Sequence, residues 1–162
     1  MKYILSQKLV SFGDDFFIED ESGNRVYTVD GKMFSIGDKL WFKDMNGKKI
    51  YKLKEKLVKL SDTFIIEKDK EDYAKLRKKM FTFPREKFFI ESPYGEIEAK
   101  GDFIDYDFKF YLDGENIAEV SKKFLAIRDK YTIEINNFQE PTLILACAVI
   151  IDMIMHDDKN SD

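Results

Sequence analysis

Leu143 to Met155 is a run of 13 residues in which only Asp152 is polar. Pro141 stands just before it, at the first-turn position that proline favours, so the stretch predicts a helix over about 141–156. Apolar residues fall on every face of that helix, the pattern of one buried on all sides rather than lying on a surface. The run is well short of the ~20 residues that cross a bilayer, so an integral membrane protein is not expected. Leu143, Ile144, Ala146, Cys147, Ile150, Ile151 and Ile154 form the expected core of the helix, and the rest of the chain has to cover them.

The cover is written in the preceding residues. Short alternating segments rich in Val, Ile, Phe and Tyr, separated by Gly, Asn and Asp, fill the chain before Asn137 and read as about twelve strands over residues 2–136. Asp20-Glu21-Ser22-Gly23-Asn24, Asp44-Met45-Asn46-Gly47, Ser92-Pro93-Tyr94-Gly95 and Asp113-Gly114 each place turn formers between two such segments, which predicts four hairpins. The hairpins resemble one another. Phe16-Phe17-Ile18-Glu19-Asp20 is echoed 24 residues later by Leu40-Trp41-Phe42-Lys43-Asp44, again by Phe88-Phe89-Ile90-Glu91-Ser92, and more loosely by Phe108 to Leu112. Strands that are apolar on one face and a helix that is apolar all round are satisfied together by a closed antiparallel barrel threaded by the helix. A lumen that holds a helix ~10 Å wide needs more than the eight strands that side chains alone can fill. The expectation is a mainly β single domain over 1–162, with a polar tail from 157.

Composition narrows the function. With 44% hydrophobic and 15% aromatic residues in 162, the chain folds without disulfides or metals despite 36% charged residues. The net charge of -4 gives no global attraction to nucleic acid, so no nucleic-acid partner is expected. The single cysteine, Cys147, cannot form an internal disulfide and reads as a small buried hydrophobe. Met1 to Lys8 has only a two-residue aliphatic stretch, Ile4-Leu5, too short for the apolar region of a signal peptide, so a cytoplasmic location is expected.

Several segments taken together resemble one family: Ser35-Ile36-Gly37-Asp38-Lys39-Leu40 followed by Asp44-Met45-Asn46-Gly47, then Gly101-Asp102-Phe103, and Ile150-Ile151-Asp152 through His156 to Asn160. As a set, over nearly the whole chain, they are similar to the LURP-one-related family, which belongs with the Tubby C-terminal domain and the phospholipid scramblases. The resemblance implies a roughly twelve-stranded barrel around a central hydrophobic helix. It brings no catalytic set, and its bacterial members have no assigned role. Tubby-like domains bind phosphoinositides through a basic pocket, which does not align with particular residues here. Scramblase features, a proline-rich N-terminal segment, a palmitoylation cysteine cluster and a calcium loop, do not occur in the chain.

Candidate chemistry is sparse. His156 is the only histidine, and with Asp152 four residues earlier it reads as a helix-end ion pair rather than a metal site. Asp105, Asp107 and Lys109 alternate with Tyr106, Phe108 and Phe110, which reads as a solvated face opposite a buried one. No phosphate loop, cysteine pair or nucleophile elbow is present, so no catalytic residue, metal or cofactor is expected. Charge is more informative: residues 1–89 carry 20 basic and 15 acidic side chains, and residues 90–162 carry 7 and 16. Lys52, Lys54 and Lys56 share one strand face, opposite Tyr51 and Leu53, and Lys75, Arg77 and Lys79 share another, opposite Leu76 and Met80. These two stripes are the candidate anion site. The expected function is therefore a non-enzymatic binding or scaffolding module for an anionic phospholipid or phosphorylated ligand. A protein partner is the alternative and a metal-dependent enzyme the third reading.

Overall fold

The structure, a computed structural model, describes residues 1–8, 15–30, 39–58, 61–79, 86–122 and 130–160, with side chains at all of these except 8, 15, 57, 58, 61, 62 and 157–160. The twelve strands are β1 (Lys2–Lys8), β2 (Asp15–Glu19), β3 (Arg25–Asp30), β4 (Lys39–Asp44), β5 (Lys49–Val58), β6 (Ser61–Lys68), β7 (Glu71–Lys79), β8 (Lys87–Ser92), β9 (Gly95–Asp102), β10 (Asp107–Leu112), β11 (Glu115–Lys122) and β12 (Lys130–Ile135), followed by one helix, α1 (Pro141–Asn160). Each strand pairs antiparallel with the next in sequence, and β12 closes on β1, with Tyr3 opposite Ile133 and Leu5 opposite Tyr131. The result is a closed up-and-down barrel.

Period-2 alternation decides which side chains fill it. Phe16 and Ile18, Leu40 and Phe42, Tyr51 and Leu53, Phe64 and Ile66, Phe88 and Ile90, and Phe108 and Phe110 all point inward and are buried. They close on α1, of which Leu143 through Met155 is buried, including all seven residues named above as its core. Twelve strands leave a lumen too wide for side chains alone, and the helix occupies it.

The connections β2–β3, β4–β5, β6–β7, β8–β9 and β10–β11, with residues 136–140, lie at one mouth. There the two repeated turns are built alike: Asp20 Oδ1 accepts from the Ser22 and Asn24 amides and Asp44 Oδ1 from the Asn46 and Lys48 amides, each at 2.9 Å. The four hairpins expected from sequence are present, and a fifth, β6–β7, was not foreseen. It turns through Asp69 and Lys70, both left-handed at φ 52° and 69°, and carries no glycine to announce it.

Two boundaries differ from the sequence reading. The helix runs four residues past His156 because Asp157 to Asn160 includes no breaker, so the chain from 157 to 160 is helical rather than a tail. Residues 161–162 lie outside the described residues. Tyr106 has φ 54° and belongs with Asp105 to the β9–β10 turn, so only Asp107 and Lys109 stand on the outer face of a strand. Of the segments that carry the family resemblance, 35–38 lie outside the described residues, as does Met80.

Candidate functional site

The outer wall at β4 and β5 collects the most charge of one sign. Outward residues of β4 are Lys39, Trp41 and Lys43, and the register sets Lys39 opposite Lys54, Trp41 opposite Lys52 and Lys43 opposite Lys49. Ammonium groups also stand over the Trp41 ring, Lys49 at 4.0 Å from its centroid and Lys52 at 5.3 Å. The carboxylates that meet these lysines lie at the flanks: Asp30 on β3 is 2.8 Å from Lys43, and Glu67 on β6 is 2.5 Å from Lys54 and 3.8 Å from Lys52. Glu67 is held below the ordinary carboxylate range, first by the Lys54 hydrogen bond against the opposing effect of burial, then by the charges of Lys54, Lys52 and Lys39. Among the described residues no carboxylate pairs with Lys39, Lys49 or Lys56.

The structure does not set the two predicted stripes side by side. β6 lies between them, so Lys54 faces Ile65, which in turn faces Lys75, and Lys56 faces Thr63, which faces Arg77. Lys52, Lys54 and Lys56 instead join the β4 lysines. Arg77 pairs with Glu91 at 3.1 Å, Lys79 lies 5.4 Å from the Phe89 ring centroid, and beyond them Glu98 takes both Lys87 and Lys100. The β7–β9 wall is thus a ladder of alternating charge, whereas the β4–β5 wall is cationic with an indole at its centre. Lys39, Trp41, Lys43 and Lys49 were missed in the sequence reading. The Asp44–Gly47 turn carried the signal, because a hairpin folded there brings these residues onto the Lys52 and Lys54 face.

A second polar centre sits at the mouth where α1 begins. Glu140, directly before Pro141, accepts hydrogen bonds from Tyr51 (2.6 Å), Lys68 (2.9 Å), Tyr94 (2.8 Å) and Tyr73. Burial opposes its charge, but the bonds from Lys68 and the three phenols outweigh that and bring its pKa down to about 2. Burial and the bond to Glu140 push Tyr51 and Tyr73 far above the ordinary phenol range. These groups rivet the first turn of the helix to three hairpins. Beside them an open cleft of about 560 Å³ is lined by Leu112, Ile117 and Phe138 together with Asp113, Glu115, Asn137 and Gln139, with Tyr94 edge-on to Phe138 at 5.1 Å.

At the opposite mouth His156 Nε2 is 3.7 Å from the buried Asp152 and 3.5 Å from the Tyr106 hydroxyl. Because the helix continues to Asn160, His156 stands one turn before the end rather than at it. Among the described residues no group of three His, Cys, Asp or Glu side chains converges on a metal position, and no helix is long and apolar enough to cross a membrane. Cys147 is fully buried, and burial pushes its thiol far above its ordinary range.

A twelve-strand antiparallel meander closed around one apolar helix defines the class to which this chain belongs. The LURP-one-related family model matches residues 1–152, and the chain is a member of that family. It is 32% identical over 161 residues to the uncharacterized protein YxjI of Bacillus subtilis (strain 168), covering 99% of this chain and 97% of that one. An X-ray structure of an Arabidopsis thaliana protein superposes with a TM-score of 0.61 at 17% identity over 98% of this chain and 91% of its own, a likeness of fold.

Proposed function

We propose that this protein is a non-enzymatic, cytoplasmic binding module whose β4–β5 wall engages an anionic membrane surface through lipid phosphate groups. The observation that carries the reading is the register of that hairpin. Like charges placed directly opposite each other destabilise a sheet, yet Lys39 faces Lys54 and Lys43 faces Lys49. A charge arrangement that weakens the folded state has a use when a ligand neutralises it. Trp41 at the centre of the patch supplies the amphipathic ring suited to a head-group layer. Each lysine near such a surface contributes about 1 kcal/mol, so this many in one patch suffices for measurable binding.

Flotation with phosphatidylglycerol-rich vesicles tests the proposal. The wild type is expected to float at low salt and to lose binding as ionic strength rises toward ~0.15 M and beyond. Changing Lys52, Lys54 and Lys56 to Glu is expected to reduce binding at least tenfold. A wild type that does not float at low salt, or a triple variant that floats equally well, overturns it. The cleft favours a second reading: its lining includes Asp113 and Glu115 and, among the described residues, no basic side chain, which suits a cationic segment of a protein partner. Stoichiometric co-purification of such a partner, lost in an Asp113→Asn, Glu115→Gln variant, would support that reading.

A further inference from the structure

Glu67 stands on the outer wall of the barrel, on β6. Its row on the outer face of β6 reads Thr63, Ile65, Glu67, and its side chain lies directly across the sheet from Lys52. One carboxylate oxygen meets Lys54 at 2.5 Å and the other Lys52 at 3.8 Å, and only 15% of the side chain is exposed. The ammonium groups of two strand positions therefore already converge on one anion, and that anion belongs to the protein.

We infer that Glu67 is a built-in counter-ion of the β4–β5 wall, which reserves Lys52 and Lys54 for anions able to displace it. The inference rests on the membrane reading of that wall and adds its selectivity. A carboxylate tethered beside its partners competes at an effective concentration in the millimolar range without diffusing away. A single monovalent anion in solution is a poor competitor against it. A surface that presents many phosphates at once, and that also engages Lys39 and Lys49 around Trp41, gains contacts that Glu67 cannot match. Binding is therefore thresholded: weak at low density of anionic lipid and steep once the density is enough to draw both lysines off Glu67.

Co-sedimentation with vesicles of phosphatidylcholine containing 5–40% phosphatidylglycerol (mole fractions of about these values span the ordinary range of surface potential) tests this with two variants. Glu67→Gln keeps the side-chain shape and removes the charge. Glu119→Gln removes the same charge from the β10–β11 wall, where Glu119 pairs with Lys109 at 3.2 Å. Glu67→Gln is expected to tighten binding at low mole fraction on the order of tenfold, the effect of freeing one to two lysines, and to flatten the dependence on lipid density. Glu119→Gln is expected to shift binding less than twofold. Thermal melting of both variants confirms that the barrel is intact. If the wild type binds and the two variants behave alike, Glu67 is only an ion-pair partner and the inference is overturned while the membrane reading stands. If Glu67→Gln binds at a low mole fraction where the wild type is silent, and the wild type binds at a higher one, Glu67 masks the wall and the inference holds. If none of the three binds at any composition, both fall.

Discussion

A carboxylate that accepts hydrogen bonds from one ammonium and three phenols loses the basis of all four when it is protonated. Glu140 has a folded pKa of about 2, below the ~4.3 of an unfolded glutamate, so the stability it supplies is present in full above about pH 4.5 and is lost as pH falls toward 2. Its side chain is 13% exposed, and Glu140→Gln is expected to cost on the order of 2 kcal/mol at pH 7, with the gap to wild type closing between pH 4.5 and 2. Urea midpoints across that range check it, and a gap that stays constant with pH would mean that the anchor does not depend on charge. Nothing in the sequence marks this site, because its donors Tyr51, Lys68, Tyr73 and Tyr94 lie between 46 and 89 residues away and are spread over three hairpins. Gly101 is a second case that only the fold explains. With φ 143°, it faces Phe108, and a Cβ there would fall 2.4 Å from the Asp107 carbonyl oxygen.

The elements were legible in proportion to how strongly each announced itself. An apolar face all round identified α1, and Gly or Pro in the turn identified the hairpins, whereas β6–β7 went unread because an aspartate and a lysine adopt the left-handed turn conformation that glycine usually signals. The hairpins β2–β3, β4–β5, β6–β7 and β10–β11 each carry a register shift close to the turn, a set that differs from the sequence repeat, which includes β8 and not β6. Of the five hairpins at that mouth, only β8–β9 pairs without one, from Lys87 opposite Lys100 to Ser92 opposite Gly95. Such bulges sharpen local twist, and repeating them around one mouth helps a sheet of this width close. The helix is the element on which all the strands depend. Ile150 is fully buried in it, so Ile150→Lys places a charge in the packed lumen at a cost of several kcal/mol, comparable with the whole stability of a domain. Circular dichroism is expected to show a largely unfolded variant, and an unchanged melting temperature would mean that the helix is peripheral.

Over the whole molecule, closure removes every free strand edge, and with it the usual route by which β proteins pair with strangers. Closure also predicts that Cys147, 0% exposed at the barrel axis, reacts with a thiol reagent only through opening of the wall. Its labelling is expected to be slow without denaturant and to rise with urea, and rapid stoichiometric labelling of the native protein would show that the helix leaves the lumen readily. The candidate site was legible only in half, because strand faces can be read from a period of two while lateral neighbours cannot. Lys52 and Lys54 were visible, but their company came from β4 and their counter-ion from β6. One consequence of the strand order concerns translation. The helix follows all twelve strands in the chain, so the ribosome delivers the wall before the object around which it is built. Until Leu143 to Met155 emerge, the inward faces of Phe16, Phe42, Phe88, Phe108 and Phe110 lack the helix that fills the lumen, though Phe42, Phe88, Phe108 and Phe110 already have aromatic neighbours outside the helix. Any part of the wall that forms before the helix is made exposes its apolar face, the kind of surface that holding chaperones cover.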